Sequence, residues 1–158
     1  MTKEESIQSE LIKKFGFLEG RTRIQRPRRI FAEVPLDSFK DIFEYAVQKL
    51  GFVILSTITG LDEGAALGFI YHVGREDGIM LNIKVKADRV NPVIKTITGY
   101  FPAADIYERE LMDLLGAKVQ GLPEGKRYPL SDDWPPGEYP LRKDWKKEPE
   151  KDEVKTNA

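Results

Sequence analysis

The chain has 158 residues, 41% of them hydrophobic and 32% charged, which suits one globular domain with a buried core. Its formal net charge of −1 gives no bulk electrostatic support for nucleic-acid binding, and no apolar run approaches the roughly 18 residues that a transmembrane helix needs. With no cysteine and one histidine, the chain can supply neither thiolate ligands for an iron–sulfur cluster or a nickel–iron centre nor a histidine-rich metal site.

The N-terminal residues and the overall composition indicate where such a chain works. Residues Met1 to Lys14 are charged throughout and lack the apolar core of a secretory signal peptide, so we expect a cytoplasmic protein. Abundant lysine and glutamate, with few asparagines and glutamines, are typical of thermophilic proteins.

The hydrophobic periodicity predicts helices and strands in mixed order. In chain order, we predict a helix over Thr2–Phe15, a strand over Arg29–Val34, a helix over Ser38–Leu50, strands over Phe52–Thr59, Ala66–Val73 and Ile79–Lys86, and helices over Val93–Thr98 and Asp105–Leu115. The glycine-flanked loop Gly74–Gly78 predicts a hairpin between the last two strands. These elements predict an α+β fold, in which residues 1–116 form a two-layer domain with helices packed on one face of a mainly antiparallel sheet.

Two features of this domain could carry chemistry. Five arginines lie between Arg21 and Arg29, a pattern typical of a nucleic-acid patch but also of a solvated strand edge; acidic residues in the following helix favour the edge. His72 lies within a predicted strand, where a catalytic histidine would need a base, a nucleophile or a carboxylate partner. Because the sequence identifies no such partner, we expect His72 to be a structural histidine with satisfied hydrogen bonds.

The predicted helix over 105–115 carries charges around its apolar face. A helical wheel places Glu108 and Glu110 on opposite flanks of that face, and Arg109 and Asp113 together on the far side at i,i+4. The two glutamates could form a paired-carboxylate acid/base site. They point to opposite flanks and do not converge on one substrate atom, so we favour rim charges that contact the sheet or a partner. The apolar face itself consists of Tyr107, Leu111, Leu114 and Leu115.

The C-terminal arm, residues 117–145, has no helical or strand periodicity. Its five prolines exclude a continuous helix or central strand, and such a long irregular segment is either functional or disordered. Four large aromatic residues argue against plain disorder and favour a binding arm, because each ring can fill a pocket on a partner. The alternative is that the arm folds back over its own sheet. The aromatic residues are Tyr128, Trp134, Tyr139 and Trp145.

Two motifs in this region carry a family resemblance. Residues 108–116 read "ERELMDLLG", and residues 140–144 read "PLRKD". At this spacing they resemble the signature of the thirty-kilodalton, C-type subunit of complex I, the proton-pumping NADH–quinone oxidoreductase. That family also includes the equivalent subunit of energy-converting membrane-bound nickel–iron hydrogenases and their relatives. The order of the preceding elements resembles the family's N-terminal α+β domain, although that part is much less specific.

The resemblance implies a cofactor-free structural or assembly subunit, peripheral on the cytoplasmic side of a membrane-bound, ion-pumping redox complex. Its partners would be the large hydrogenase-like subunit, which corresponds to the D-type subunit of complex I, and the small iron–sulfur subunit next to it, with no nucleic acid. Those partners would hold the iron–sulfur clusters and, in a hydrogenase, the nickel–iron centre. The family often has His where Leu122 stands and Arg where Lys126 stands, and the chain is short for a bacterial subunit. These departures favour an archaeal-type hydrogenase or sulfur-reducing relative over a quinone-reducing complex I.

The resemblance also implies which residues contact the partner. We predict that the partner-binding residues are Glu108, Arg109, Glu110, Asp113, Lys126, Arg127, Trp134, Tyr139, Leu141, Arg142, Lys143, Asp144 and Trp145.

Two other functions remain as alternatives. One is a stand-alone enzyme that uses Glu108, Glu110 or His72, and the other is a nucleic-acid module at Arg21–Arg29. Residues 146–158 are charged, lack aromatic side chains, and are expected to be a disordered tail.

Overall fold

A computed structural model describes residues 1–147 and contains three helices and seven strands. The expected disordered tail lies mostly outside the described residues. The helices are α1 (Lys3–Lys14), α2 (Phe39–Gln48) and α3 (Ala104–Leu115), with short 3-10 turns at Gly16–Leu18 and Leu36–Ser38. The strands are β1 (Thr22–Arg26), β2 (Arg29–Glu33), β3 (Ile54–Asp62), β4 (Ala66–Gly74), β5 (Met80–Asp88), β6 (Val93–Lys95) and β7 (Lys118–Gln120).

Five strands form the main sheet in the order β1-β2-β5-β4-β3. All neighbours in it are antiparallel except β2 and β5, which run parallel, so the prediction of an α+β fold with a mainly antiparallel sheet is confirmed. Strands β6 and β7 form a separate parallel pair, and in sequence the first precedes α3 and the second follows it. Thr96 N donates to Gln120 O, and Lys118 N donates to Pro92 O, which extends this pairing at both ends.

The core lies between the helices and one face of the main sheet. The Phe39 and Phe43 rings of α2 pack on the fully buried Tyr71 ring of β4, with centroid distances of 4.5 and 5.8 Å. Leu111 and Leu115 of α3 contact Gly60 of β3, which lies on the same sheet face. Burial of these apolar side chains is the main stabilising contribution to the fold.

Local sequence signals located most elements to within a few residues. At α1, the Thr2 hydroxyl accepts from Glu5 N while the Glu5 carboxylate accepts from Thr2 N, which is a complete capping box. The hairpin predicted at Gly74–Gly78 connects β4 to β5. The helix predicted over Val93–Thr98 is wrong, because β-branched Val93 and Ile94 instead lie in β6 and pair with β7.

The two ambiguous features of the domain both have structural roles. The arginine cluster contains the edge strand β1, where the Arg23 guanidinium lies 4.4 Å from the Phe31 ring centroid. His72 bridges the Thr59 hydroxyl (2.8 Å from Nε2) and the Asn82 carbonyl oxygen (2.6 Å from Nδ1). The expectation of a strand histidine with satisfied hydrogen bonds is therefore confirmed.

Gly60 permits the close approach of α3 to the sheet. A Cβ at this position would lie 2.7 Å from Leu111 Cδ2 and would also overlap Leu115 Cδ1, and both leucines are buried. We therefore expect Gly60→Ala to lower the free energy of unfolding by about 1–3 kcal/mol, as measured by urea denaturation. Gly99→Ala is the matched control, because a Cβ at Gly99 meets no atom within 4 Å. Equal effects of the two substitutions would contradict this account.

Candidate partner-binding site

The buried face of helix α3 shares Leu111 and Leu115 with the predicted apolar face but is rotated toward Ala104 and Glu108. Its buried residues are Ala104, Glu108, Leu111 and Leu115, and Gly116 ends the helix in the left-handed conformation with φ of 76°. The prediction that Glu108 is a rim charge is wrong, because Glu108 has no exposed surface. A buried Glu108 presents no surface to a partner in the isolated chain.

The Glu108 carboxylate connects α3 to the chain just after β6. One oxygen accepts from Thr96 Oγ1 at 2.6 Å, and the other accepts from Ile97 N at 2.7 Å. Burial raises the pKa of the Glu108 carboxyl above its ordinary value, and these two hydrogen bonds oppose that rise. The carboxylate thus accepts hydrogen bonds from two donors beside the core, and its role in the fold is structural.

Glu110 does not approach this carboxylate. Its side chain is half-buried and forms no hydrogen bond or ion pair within residues 1–147. Two positions along a helix separate side chains by about 200°, so Glu108 and Glu110 cannot act together on one atom. The geometry offers no paired-carboxylate site.

Arg109 and Asp113 do not pair with each other as the i,i+4 spacing predicted, so that prediction is wrong. Arg109 instead binds the Asp105 carboxylate one turn earlier and donates from Nη2 to Pro123 O at 2.6 Å. Asp113 accepts from Arg127 Nε at 3.0 Å and from Leu130 N at 3.1 Å. Both side chains therefore hold the C-terminal arm, because the arm offers donors and acceptors that a wheel of α3 alone cannot show.

The middle of the arm is ordered by its aromatic residues. The Trp134 and Trp145 rings lie 5.8 Å apart, and both indole N–H groups donate to Glu138, one to its backbone oxygen and the other to its carboxylate. Arg127 Nη1 donates to Trp134 O at 2.9 Å, which connects this aromatic pair to Asp113 through one guanidinium. The arm thus has a compact internal structure without helix or strand in this part.

The end of the arm docks on α3 and on the main sheet. Leu141 N donates to Leu114 O at 3.0 Å, and Arg142 Nε donates to Leu115 O at 2.8 Å, so the arm satisfies carbonyls at the C-terminus of α3. Lys143 N donates to the Asp62 carboxylate at 2.7 Å. Asp144 is bound by Arg89, which also binds Asp62.

Asp62 is the anchor of this last contact. The hydrogen bonds from Arg89, Lys143 N and Gly64 N stabilise its ionised form and lower its carboxyl pKa. Neither Asp62 nor Arg89 was predicted as a site residue, because both lie in the sheet domain, far from the arm in sequence. No local pattern in the sequence could have revealed their contact with the arm.

The arm therefore folds back onto its own domain in the isolated chain, chiefly along α3. Among the predicted partner-binding residues, Lys126, Leu141, Lys143 and Asp144 are exposed, and 54% of Leu141 is accessible. Arg127, Trp134, Tyr139, Arg142 and Trp145 are half-buried and engaged with the chain itself. Whether these residues contact a partner stays a prediction.

Two properties limit the chemistry of the described part of the chain. Within residues 1–147, no group of three or more His, Cys, Asp or Glu side chains is placed to hold a metal ion. None of the helices in that range is long and apolar enough to cross a bilayer.

A family model matches most of the chain, including α3 and the arm. The model of the family "Respiratory-chain NADH dehydrogenase, 30 Kd subunit" matches residues 32–151, and the chain belongs to that family. The match includes α3, the arm and the complete strands β3, β4 and β5 of the main sheet.

Several named proteins resemble the chain over most of its length. The C-type subunit of the NADH-quinone oxidoreductase of Moorella thermoacetica is 34% identical over 87% of this chain and 91% of its own. The beta subunit of the membrane-bound hydrogenase of Pyrococcus furiosus is 29% identical, covering 95% and 90% respectively. A chain in the structure of the membrane-bound sulfane sulfur reductase, an archaeal respiratory membrane complex, superposes with a TM-score of 0.80 and 27% identity, covering 92% of this chain and 86% of that one.

A fusion protein also matches part of the chain. The fused C/D polypeptide of the NADH-quinone oxidoreductase of Bacteroides thetaiotaomicron is 35% identical over 62% of this chain, which corresponds to 20% of the fusion. The remaining four-fifths of that protein lies outside the matched region.

Proposed function

We propose that this chain is a cofactor-free peripheral subunit of a membrane-bound, ion-pumping redox complex, either a membrane-bound hydrogenase or a related sulfur-reducing complex. It docks through its arm on the large hydrogenase-like subunit, the counterpart of the D-type subunit of complex I, and lies beside the small iron–sulfur subunit. Those subunits carry the iron–sulfur clusters and any nickel–iron centre, and the assembly lies on the cytoplasmic side of the membrane. The role of the chain is to hold the electron-transfer subunits in register.

One observation carries this proposal. The arm is fixed to the domain through backbone groups and charges, while apolar Leu141 (54% accessible) and Tyr128 (43% accessible) point outward from it. A preordered segment with exposed apolar side chains loses little conformational entropy on docking, and large apolar side chains are frequent anchors of interfaces. The arm is therefore suited to contact a partner without unfolding from its own domain.

The fusion protein supports the choice of partner. A C/D fusion places a domain similar to this chain and a D-type subunit in one polypeptide. Covalent linkage of two subunits is compatible with function only where both belong to the same assembly. This supports a D-like large subunit as the neighbour of the arm.

The type of complex rests on the departures at Leu122 and Lys126 together with the similarity to the sulfane sulfur reductase chain and the hydrogenase beta subunit. The second candidate is the C-type subunit of a quinone-reducing complex I, or of a relative linked to ferredoxin or F420. The 34% identity to the Moorella protein favours that candidate. Co-purification separates a hydrogenase from the other possibilities: a large subunit with two CxxC motifs placed for nickel indicates a hydrogenase, and loss of these motifs indicates a quinone- or sulfur-reducing relative.

The docking role is tested by co-expression of the tagged chain with the large subunit and quantitative pull-down. We expect Leu141→Asp to reduce capture of the large subunit at least about tenfold, because burying a carboxylate in an apolar contact is costly. Removing residues after Gly121 should abolish capture. Lys13→Asp, an exposed change on α1, is the matched control and should capture normally. Undiminished capture by both Leu141→Asp and the truncated chain would refute the proposal.

A further inference from the structure

A cavity of about 320 Å³ lies between α2 and the β6–β7 pair. Its apolar wall includes Phe39, Phe43 and Ile97, which are nearly or fully buried, and the half-buried Tyr100. This volume and lining suit one large apolar side chain, since binding cavities are mostly apolar with a few placed polar groups.

The rim of the cavity is positively charged. Lys40 and Lys95 both line it, and neither forms an ion pair within residues 1–147. No acidic side chain lines this cavity in the described part of the chain. Two unpaired ammonium groups beside an apolar wall favour a ligand that combines an apolar group with a carboxylate.

A second cavity of about 300 Å³ adjoins the first and shares Phe39, Lys40, Lys95 and Gln120 with it. Leu36, Val93 and Ile94 supply its apolar lining, and Asp37 is its one acidic residue among residues 1–147. The two adjoining cavities, which both border β6, are here called the groove. A groove of this form accommodates an extended polypeptide segment better than a compact small molecule.

The back of the groove is fixed by Glu108. Thr96 lines the cavity and donates its hydroxyl proton to the buried Glu108 carboxylate, which also holds Ile97 N. A cavity with a hydrogen-bonded wall is preorganised, so little reorganisation opposes the entry of a side chain.

We propose that this groove binds a segment of a partner subunit in which a large apolar residue lies next to Asp or Glu. The apolar side chain fills the cavity against Phe39, Phe43 and Ile97, and the carboxylate lies between Lys40 and Lys95. The proposal rests on the proposed function only in requiring a partner subunit, and it assigns that partner a second contact besides the arm.

The chemistry of the groove is tested first on the isolated full-length chain, where no partner is needed. The probe is N-acetyl-L-phenylalanine, which carries an aromatic ring and a carboxylate, followed by ¹H–¹⁵N NMR. We expect saturable shifts at the amides of Ile97, Tyr100 and Gln120. Lys40→Gln and Lys95→Gln should each weaken binding about two- to fivefold, in line with one exposed ion pair, and so should replacing the probe by its neutral amide.

The same titration includes a control lysine that lies away from the groove. Lys13→Gln removes an exposed lysine on α1 and should leave the affinity unchanged. No saturable shifts at the groove, or binding that is equal for the acid and the amide, would overturn the proposal whether or not the chain assembles through its arm.

The polypeptide nature of the ligand is tested in the assembled complex. With p-benzoylphenylalanine in place of the exposed Gln120, irradiation should crosslink the chain to a partner peptide that contains an apolar residue beside Asp or Glu. A crosslink only to a second copy of this chain, to a peptide without a carboxylate, or to no protein would overturn the proposal. The two contacts are measured separately. Assembly of the Leu141→Asp variant reports on the arm, and the crosslink at position 120 in the complex with native Leu141 reports on the groove.

Discussion

Replacing Glu108 by alanine is expected to lower the free energy of unfolding by about 2–4 kcal/mol. The substitution removes the acceptor of the buried Ile97 N and of the half-buried Thr96 hydroxyl, and it opens a cavity beneath α3. Urea denaturation at neutral pH, followed by circular dichroism, measures the change. A loss below about 0.5 kcal/mol would show that water or other groups satisfy these donors.

Glu108→Gln separates the charge of this residue from its shape. Burial raises the pKa of the carboxyl in the folded state above its ordinary value, so the folded protein binds a proton more tightly than the unfolded chain. The stabilisation from this proton is fully present below the unfolded pKa and is lost as pH rises through the folded pKa. The native protein should therefore lose stability relative to Glu108→Gln as the pH rises above the ordinary titration range of glutamate. A stability difference that is constant with pH would contradict the raised pKa.

The second large effect is expected at Asp113, which joins α3 to the arm. Asp113→Ala removes the ion pair with Arg127 and the acceptor of Leu130 N, and we expect arm docking to weaken by about 1.5–3 kcal/mol. The core contacts of α3 are made by other residues, so global stability should change much less. The expected result is a loosened arm on an intact domain.

The chain's two tryptophans make this measurement direct, because both lie in the arm. Release of the arm should shift the tryptophan emission to the red and speed hydrogen exchange at Trp134 N, which is bonded to Ser131 O. Asp132→Ala is the matched control, since Asp132 is exposed and makes no hydrogen bond or ion pair within residues 1–147. If the two variants have the same emission spectrum, Asp113 does not hold the arm.

The sequence predicted those helices and strands that are specified by residues close together in the chain. The capping residues Thr2 and Glu5 and the alternation along β5 located their elements well, because caps and side-chain alternation act over a few residues. The helix prediction for Val93–Thr98 was wrong because Val93 and Ile94 form a strand only by pairing with β7, some 25 residues later in the chain. A three-residue strand has no periodicity of its own from which its partner could be read.

The same distinction explains the candidate site. The sequence identified the importance of α3 and the arm through their motifs, but it misassigned the roles of Glu108, Arg109 and Asp113. A helical wheel treats a helix as isolated, whereas the partners of these side chains lie at Thr96, Pro123 and Arg127. Those roles depend on hydrogen bonds between segments that are distant in sequence, and the spacing of residues along one helix cannot predict such bonds.

The parallel pairing of β6 with β7 has a mechanical consequence. The pair closes the chain into a loop that contains all of α3, and the part of the arm that follows β7, from Gly121 onward, leaves this loop directly. Tension applied to the arm, once it pulls free of α3, acts along β7 and loads the β6–β7 hydrogen bonds in shear, so that several must break together. The helix inside the loop is thereby isolated from the load. In the proposed docking role, a load on the arm therefore leaves the packing of Leu111 and Leu115 on Gly60 unstrained.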